Sequence, residues 1–167
     1  MYEDRDEITV GDSAPDFTMP STRREAFTLS AEVRKQPILL YFYPLDHGKT
    51  CGEYMAEMIQ FLPQINDLGV TIVHINPGDM ESHMSWVADT GSPFEHICDI
   101  DQCVSKEYGA IVTNEKASKI LGYTNRELFL VDEGMSIRYI WRADMPAETM
   151  PIPILLDELR EALGRDR

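Results

Sequence analysis

The chain has 167 residues, 43% of them apolar, and carries 29 acidic against 15 basic residues for a formal net charge of −14. The length suits one domain with a substantial core, read here as residues 1–167 with 1–7 as a flexible leader; the acidity excludes nucleic acid and anionic membrane surfaces as partners, since either needs clustered lysine and arginine. Three cysteines with no C-x-x-C pairing exclude a disulfide scaffold and a structural metal site; the charged start and the absence of any long apolar run predict a cytoplasmic protein.

In chain order, residues 10–18 and 26–30 are short extended pieces separated by turn residues, which predicts an N-terminal β-hairpin. The run Pro37-Ile-Leu-Leu-Tyr-Phe-Tyr43 is apolar throughout and reads as a buried central strand. After Pro44-Leu-Asp-His-Gly-Lys-Thr50 comes a helical pattern from Cys51 to about Asp67, with Met55, Met58, Leu62 and Ile65 on one stripe and Pro63 set to kink or shorten it. Residues 70–75 form a second central strand, and Asp79 is placed to cap a helix whose apolar face is read as Met80, Met84 and Val87. Residues 94–98 are a short strand ending at Cys98, after which Asp101 is expected to cap a helix ending at Tyr108. Residues 110–125 show no periodicity. Residues 127–131 and 136–141 flank the turn Asp132-Glu-Gly134 as a hairpin, and a last amphipathic helix covers about 152–163. Alternating strands and helices followed by a hairpin predict a three-layer α/β domain with a mixed β-sheet.

Cys51 stands out because it falls where a strand gives way to a helix. Unpaired N–H groups and the positive end of the helix dipole converge at such a start, which favours a thiolate and makes the sulfur a nucleophile. Thr50-Cys-Gly-Glu53 reads as a capping box that places Cys51 at the first helical position. The four histidines show no metal-ligand spacing, and only His47, in the loop before Cys51, is a candidate for the site.

Several stretches together carry a family resemblance: Val10-Gly-Asp-Ser-Ala-Pro-Asp-Phe17, Leu40-Tyr-Phe-Tyr-Pro44 with Pro44 seven residues before Cys51, Leu68-Gly-Val70, Glu81-Ser-His83, Tyr108-Gly-Ala110, Asn125-Arg126 leading into Phe129-Leu-Val-Asp132, and Ile137-Arg-Tyr-Ile-Trp141. In this order the sequence resembles a peroxiredoxin of the alkyl hydroperoxide reductase and thiol-specific antioxidant family, nearest its bacterioferritin-comigratory and one-cysteine branches. The resemblance implies a thioredoxin-like fold and a thiol peroxidase without cofactor or metal. It makes Cys51 the peroxidatic cysteine, Arg126 its electrostatic partner and Pro44 the shield of the oxidised sulfur, with Gly48, Thr50, Tyr43 and Trp141 as further site-lining candidates.

One departure is visible in the family motif Pro-x-x-x-Thr/Ser-x-x-Cys, whose hydroxyl position falls on Gly48. That hydroxyl would hydrogen-bond the peroxide and the thiolate, so its loss predicts weaker stabilisation of the transition state. Ala56 occupies the place five residues after Cys51 where some relatives carry a second cysteine. The candidates for a resolving thiol are therefore Cys103, expected to be exposed at a helix start, and Cys98, expected to be buried; an external thiol is the alternative. The implied partners are a peroxide and, as reductant, thioredoxin or a low-molecular-weight thiol, the protein being monomer or homodimer. A redox sensor or binding module with little turnover is the rival reading, supported by Gly48.

Overall fold

The computed structural model describes residues 7–165, so the expected leader lies outside the described residues except for Glu7. A two-stranded antiparallel hairpin, β1 (Thr18–Met19) with β2 (Phe27–Thr28), opens the chain and runs into the single-turn helix α1 (Leu29–Glu32). β3 (Ile38–Phe42), α2 (Lys49–Gln60), α3 (Leu62–Leu68), β4 (Thr71–Asn76), α4 (Met80–Thr90) and β5 (Glu95–Cys98) follow. Then come α5 (Cys103–Glu107), a 3-10 segment (Glu115–Ile120), the hairpin β6 (Glu127–Val131) and β7 (Ile137–Arg142), and α6 (Ile152–Leu163). The main sheet has the order β5-β4-β3-β6-β7, with the first three strands parallel and β6 and β7 antiparallel. This is the mixed, helix-flanked sheet that the alternation of elements predicts.

β3 explains the layering. All five of its residues are buried, and because side chains alternate across a strand they feed two cores. Leu39 and Tyr41 join α2, α3 and α6 through Met55, Met58, Ile65, Leu155 and Leu159. Ile38, Leu40 and Phe42 join Leu29, Val104 and Tyr108 on the opposite face. Leu128 and Leu130 against Phe129 and Val131 repeat the division on β6. Among the described residues no helix is long and apolar enough to cross a membrane, and no cluster of three His, Cys, Asp or Glu side chains is placed to hold a metal ion.

The interruption expected from Pro63 is present, and two other readings are corrected. The long helix after Cys51 is divided at Phe61, with Pro63 in the first turn of α3, where a missing N–H costs nothing. On α4 the buried residues are His83 and Trp86, while Met80 and Met84 face solvent, so the inward face lies one helical register away from the predicted one. Asp79 does cap α4, accepting from the Ser82 N–H at 2.8 Å. α5 is held by Asp99, not Asp101: the Asp99 carboxylate accepts from the N–H groups of Val104 and Ser105 at 3.0 and 2.9 Å.

Candidate active site

The end of β3 delivers the chain to the loop 44–48, and α2 begins at its far side. Gly48, not Thr50, is the N-cap: its backbone is extended at φ −72°, ψ 144°, and its carbonyl accepts the first helical hydrogen bond from the Gly52 N–H at 2.9 Å. The expected capping box at Thr50 and Glu53 is therefore not formed, and the helix starts two residues earlier. Cys51 becomes the third residue of the helix, still within the first turn where the unpaired N–H groups and the dipole act. Its side chain is buried, with 6% of the residue exposed. The helix start carries no side-chain cap because glycine has none to offer.

Cys51 lines a cavity of about 510 Å³ whose walls come from separate parts of the chain: Pro44 and Leu45 of the loop, Gly48 to Thr50 at the helix start, residues 116–120 of the 3-10 segment, residues 145–147, and Arg126. Arg126 immediately precedes β6 and is almost wholly buried, at 1% exposure. Its guanidinium is held at every nitrogen: Nε donates to the Pro146 carbonyl at 3.0 Å, Nη1 to the Tyr41 hydroxyl, and Nη2 to Cys51 Sγ at 3.4 Å. The rings of Tyr41 and Tyr54 each lie 6.0 Å from its central carbon, close enough for cation–π attraction. Burial works against the charge, but Tyr41 and Cys51 outweigh it, so the guanidinium holds its proton even more firmly than usual. Burial likewise pushes the Tyr41 hydroxyl well above the ordinary phenol range, so it stays neutral.

No carboxylate neutralises this cation among the described residues; the adjacent Glu127 is taken up by Arg142 and Asn125 instead. A cation fixed against a sulfur stabilises negative charge on that sulfur and on any oxygen brought beside it. The arrangement sets a buried cation beside a sulfur on the wall of an open cavity, where a small electrophile can reach both.

The sequence candidates separate cleanly in space. Pro44, Gly48, Thr50, Cys51 and Arg126 share the cavity. Tyr43, His47 and Trp141 do not line it. Tyr43 stacks behind Tyr41 with ring centroids 5.3 Å apart and turns its hydroxyl to Asp46 and His96. His47 points to α4, where it lies against the Trp86 ring and its Nδ1 sits 3.2 Å from Asp89. Trp141 is on the edge strand β7, packed against the α6-side core, and borders a separate surface depression with Tyr139 and Met150. Cys98 is buried in β5 and Cys103 is exposed at the start of α5; neither lines the cavity. Sequence reasoning missed Tyr41, Tyr54 and the far wall from Lys116 to Ile120. The alternation of Tyr41 and Tyr43 on one face of β3 was a usable signal for the first, whereas the far wall has no periodicity to detect.

Comparison with known proteins places the chain. The AhpC/TSA family model matches residues 10–140. A putative peroxiredoxin bcp of Coxiella burnetii is 29% identical over 134 residues, covering 80% of this chain and 88% of the relative. Alkyl hydroperoxide reductase E of Mycobacterium tuberculosis is 30% identical over 134 residues, with 79% and 84% coverage. In fold, a cysteine-to-serine mutant of PrxQ from Xylella fastidiosa superposes with a TM-score of 0.81 at 21% identity, over 95% of this chain and 99% of that one. The family model over residues 10–140 and relatives matched across most of the chain's length put this chain in the AhpC/TSA family of peroxiredoxins, the thiol-dependent peroxidases.

Proposed function

We propose that Cys51 is the peroxidatic thiol and that Arg126 polarises the peroxide, with Pro44 shielding the product. The thiolate attacks one peroxide oxygen, an S–O bond forms as the O–O bond breaks, and the second oxygen leaves as hydroxide or alkoxide and takes a proton. Sulfur is oxidised by two electrons to the sulfenic acid and the peroxide is reduced to water or an alcohol. The single observation that carries this reading is the contact of Arg126 Nη2 with Cys51 Sγ inside an open cavity. Apolar wall residues such as Leu45, Ile120 and Met145 support an organic hydroperoxide as well as hydrogen peroxide.

For the second half of the cycle we propose an external thiol, thioredoxin or a low-molecular-weight thiol, which attacks the sulfenic sulfur and expels water. Burial, together with Asp46 and Asp79, pushes the Cys98 thiol up to about 11, so it is a poor attacking group. Cys103 is accessible but lies outside the cavity. Three unpaired thiols suit a reducing cytoplasm. Mass spectrometry of protein treated with one equivalent of peroxide tests the scheme: the expected product is sulfenic acid at Cys51, trapped by dimedone. A Cys51–Cys103 disulfide as the main product would replace the external thiol with an internal one.

Gly48 tests the rival sensor reading. Its φ of −72° suits any residue, and a Cβ there would sit 3.5 Å from Cys51 Sγ and 3.6 Å from the Leu45 carbonyl, which are ordinary contacts. Gly48→Thr therefore introduces a hydroxyl at the N-cap without strain, changing stability by only about a few tenths of a kcal/mol. One added donor to the developing charge is expected to raise the second-order rate with hydrogen peroxide roughly tenfold. Stopped-flow kinetics read beside the thermal midpoint check this; a stable variant with no gain would mean that another group already fills the role.

A further inference from the structure

The loop that presents the sulfur is tied down from below, by groups outside the cavity. Asp46 lies midway between Pro44 and Gly48, and its side chain is only 2% exposed. Its carboxylate accepts four hydrogen bonds: on Oδ1 from the Tyr43 hydroxyl at 2.5 Å and Asn76 Nδ2 at 3.1 Å, and on Oδ2 from the Ser82 hydroxyl at 2.6 Å and His83 Nδ1 at 2.7 Å. Burial by itself would push this carboxyl upward, but the bonds from His83, Ser82 and Tyr43 outweigh it and hold Asp46 well below the usual carboxylate range. An ionised carboxylate is thus fixed in the interior, inside the loop itself.

His83 faces that carboxylate from α4. The residue is fully buried, with Nδ1 facing the Asp46 carboxylate and Nε2 facing the carbonyl oxygen of Ile97 at 2.9 Å. Both partners only accept, and a neutral imidazole has a single N–H to give. Any neutral tautomer would therefore press a nitrogen lone pair against an oxygen lone pair, whereas the imidazolium satisfies both contacts. His96 shows the contrast. Because Tyr43 spends its proton on Asp46, its oxygen accepts from His96 Nδ1, and Nε2 then accepts from the Ser92 hydroxyl, which is the pattern of a neutral ring. Burial first, and the charge of His83 next, push His96 down to about 3. His74 makes no hydrogen bond at either nitrogen and is stacked on Phe94, again a neutral ring. Of these three buried histidines, only His83 has both ring nitrogens against groups that can only accept, and one of those groups is Asp46.

Backbone geometry closes the site around this pair. A Cβ on Gly78 would lie 2.8 Å from Asp46 Oδ2 and 2.9 Å from His83 Cε1, so only glycine lets the chain cover it. The next loop residue, His47, has a φ of 64°, uncommon for a side-chain-bearing residue, and is seated on Trp86 of the same helix α4. Two successive loop residues are thereby fastened to α4, beside a helix start whose cap offers no side chain.

We propose that His83 is a positioning residue for the thiol: as a buried imidazolium it latches Asp46, and through Asp46 it sets the loop 44–48 so that α2 starts with Cys51 against Arg126. This rests on the assignment of Cys51 as the peroxidatic cysteine. Nitrogen-15 NMR of the reduced wild-type protein at pH 7 should show one buried histidine with both ring nitrogens protonated; His83→Gln should delete that signal, and Asp46→Asn should convert it to a neutral ring. Stopped-flow oxidation of Cys51 by hydrogen peroxide should slow at least about tenfold in both variants, with far-UV circular dichroism unchanged. Where either variant fails to fold, Ser82→Ala, which removes one bond to Asp46 and leaves the charges in place, should give a smaller slowing of the same step. A neutral His83 in the wild type, or wild-type rates in folded variants, overturns the latch. Those results are separable from a failure of the peroxidatic assignment, in which the wild type itself would not be oxidised at Cys51 while the imidazolium signal would persist.

Discussion

Cys51→Ser should reduce peroxide turnover to the uncatalysed background while the protein keeps its fold. Serine has nearly the same shape and fits a site with little free exposure, and its hydroxyl accepts from Arg126 much as the sulfur does. The expected cost in stability is about 1 kcal/mol, typical of a conservative buried substitution. The chemistry does not survive, because an alcohol has no accessible anionic form near neutral pH and cannot take up a peroxide oxygen as sulfur does. The measurement is peroxide consumption with a thiol reductant, next to the thermal midpoint of each protein. Cys98→Ser and Cys103→Ser serve as comparisons and should retain the first turnover in full. A serine variant that still consumes peroxide would remove Cys51 from the mechanism.

The position of Cys51 was legible in the sequence because it follows from local physics. A run that is apolar at every residue from 37 to 43 reads as a strand buried on both faces, and a helical pattern after a short polar loop then has to begin near residue 50. The remaining central strands in chain order, their parallel pairing and the closing hairpin were legible for the same reason, whereas the sheet order β5-β4-β3-β6-β7 was not part of that reading. Cap positions were less legible. Thr50 has the right side chain for an N-cap, yet the loop geometry set by Asp46 and His47 starts the helix two residues earlier at a glycine. Likewise Met80 and Met84 look apolar but are exposed, while His83 looks polar but is buried, because Asp46 and the Ile97 carbonyl satisfy it. Pairings of this kind join residues far apart in the chain, such as Asp46 with His83 or Tyr41 with Arg126, and no periodicity encodes them. The far wall of the cavity was hidden for a different reason: its backbone forms a short 3-10 segment, capped locally by Asn114 and kinked at Ala117, with no apolar stripe of its own.

Arg126→Met should slow the reaction of Cys51 with peroxide by roughly a hundredfold to a thousandfold, the range for removing a donor aimed at developing charge. Methionine can fill much of the volume left by the arginine stem, so the packing loss is modest. The polar loss is larger, since the Pro146 carbonyl and the Tyr41 hydroxyl both lose their donor in a buried setting. Each orphaned group costs about 1–3 kcal/mol, and a lowered thermal midpoint should accompany the slower rate. Arg126→Lys separates charge from shape. An ammonium keeps the cation but cannot reach Sγ, Tyr41 and Pro146 together, because it lacks the planar fork that fixes those three directions. If proximity of positive charge is what the sulfur and the leaving oxygen need, lysine restores part of the rate; if the directed hydrogen bonds dominate, it restores almost none. Wild-type kinetics in a folded Arg126→Met protein would mean that the contact with Cys51 is structural and that the leaving oxygen is stabilised by another group in the cavity.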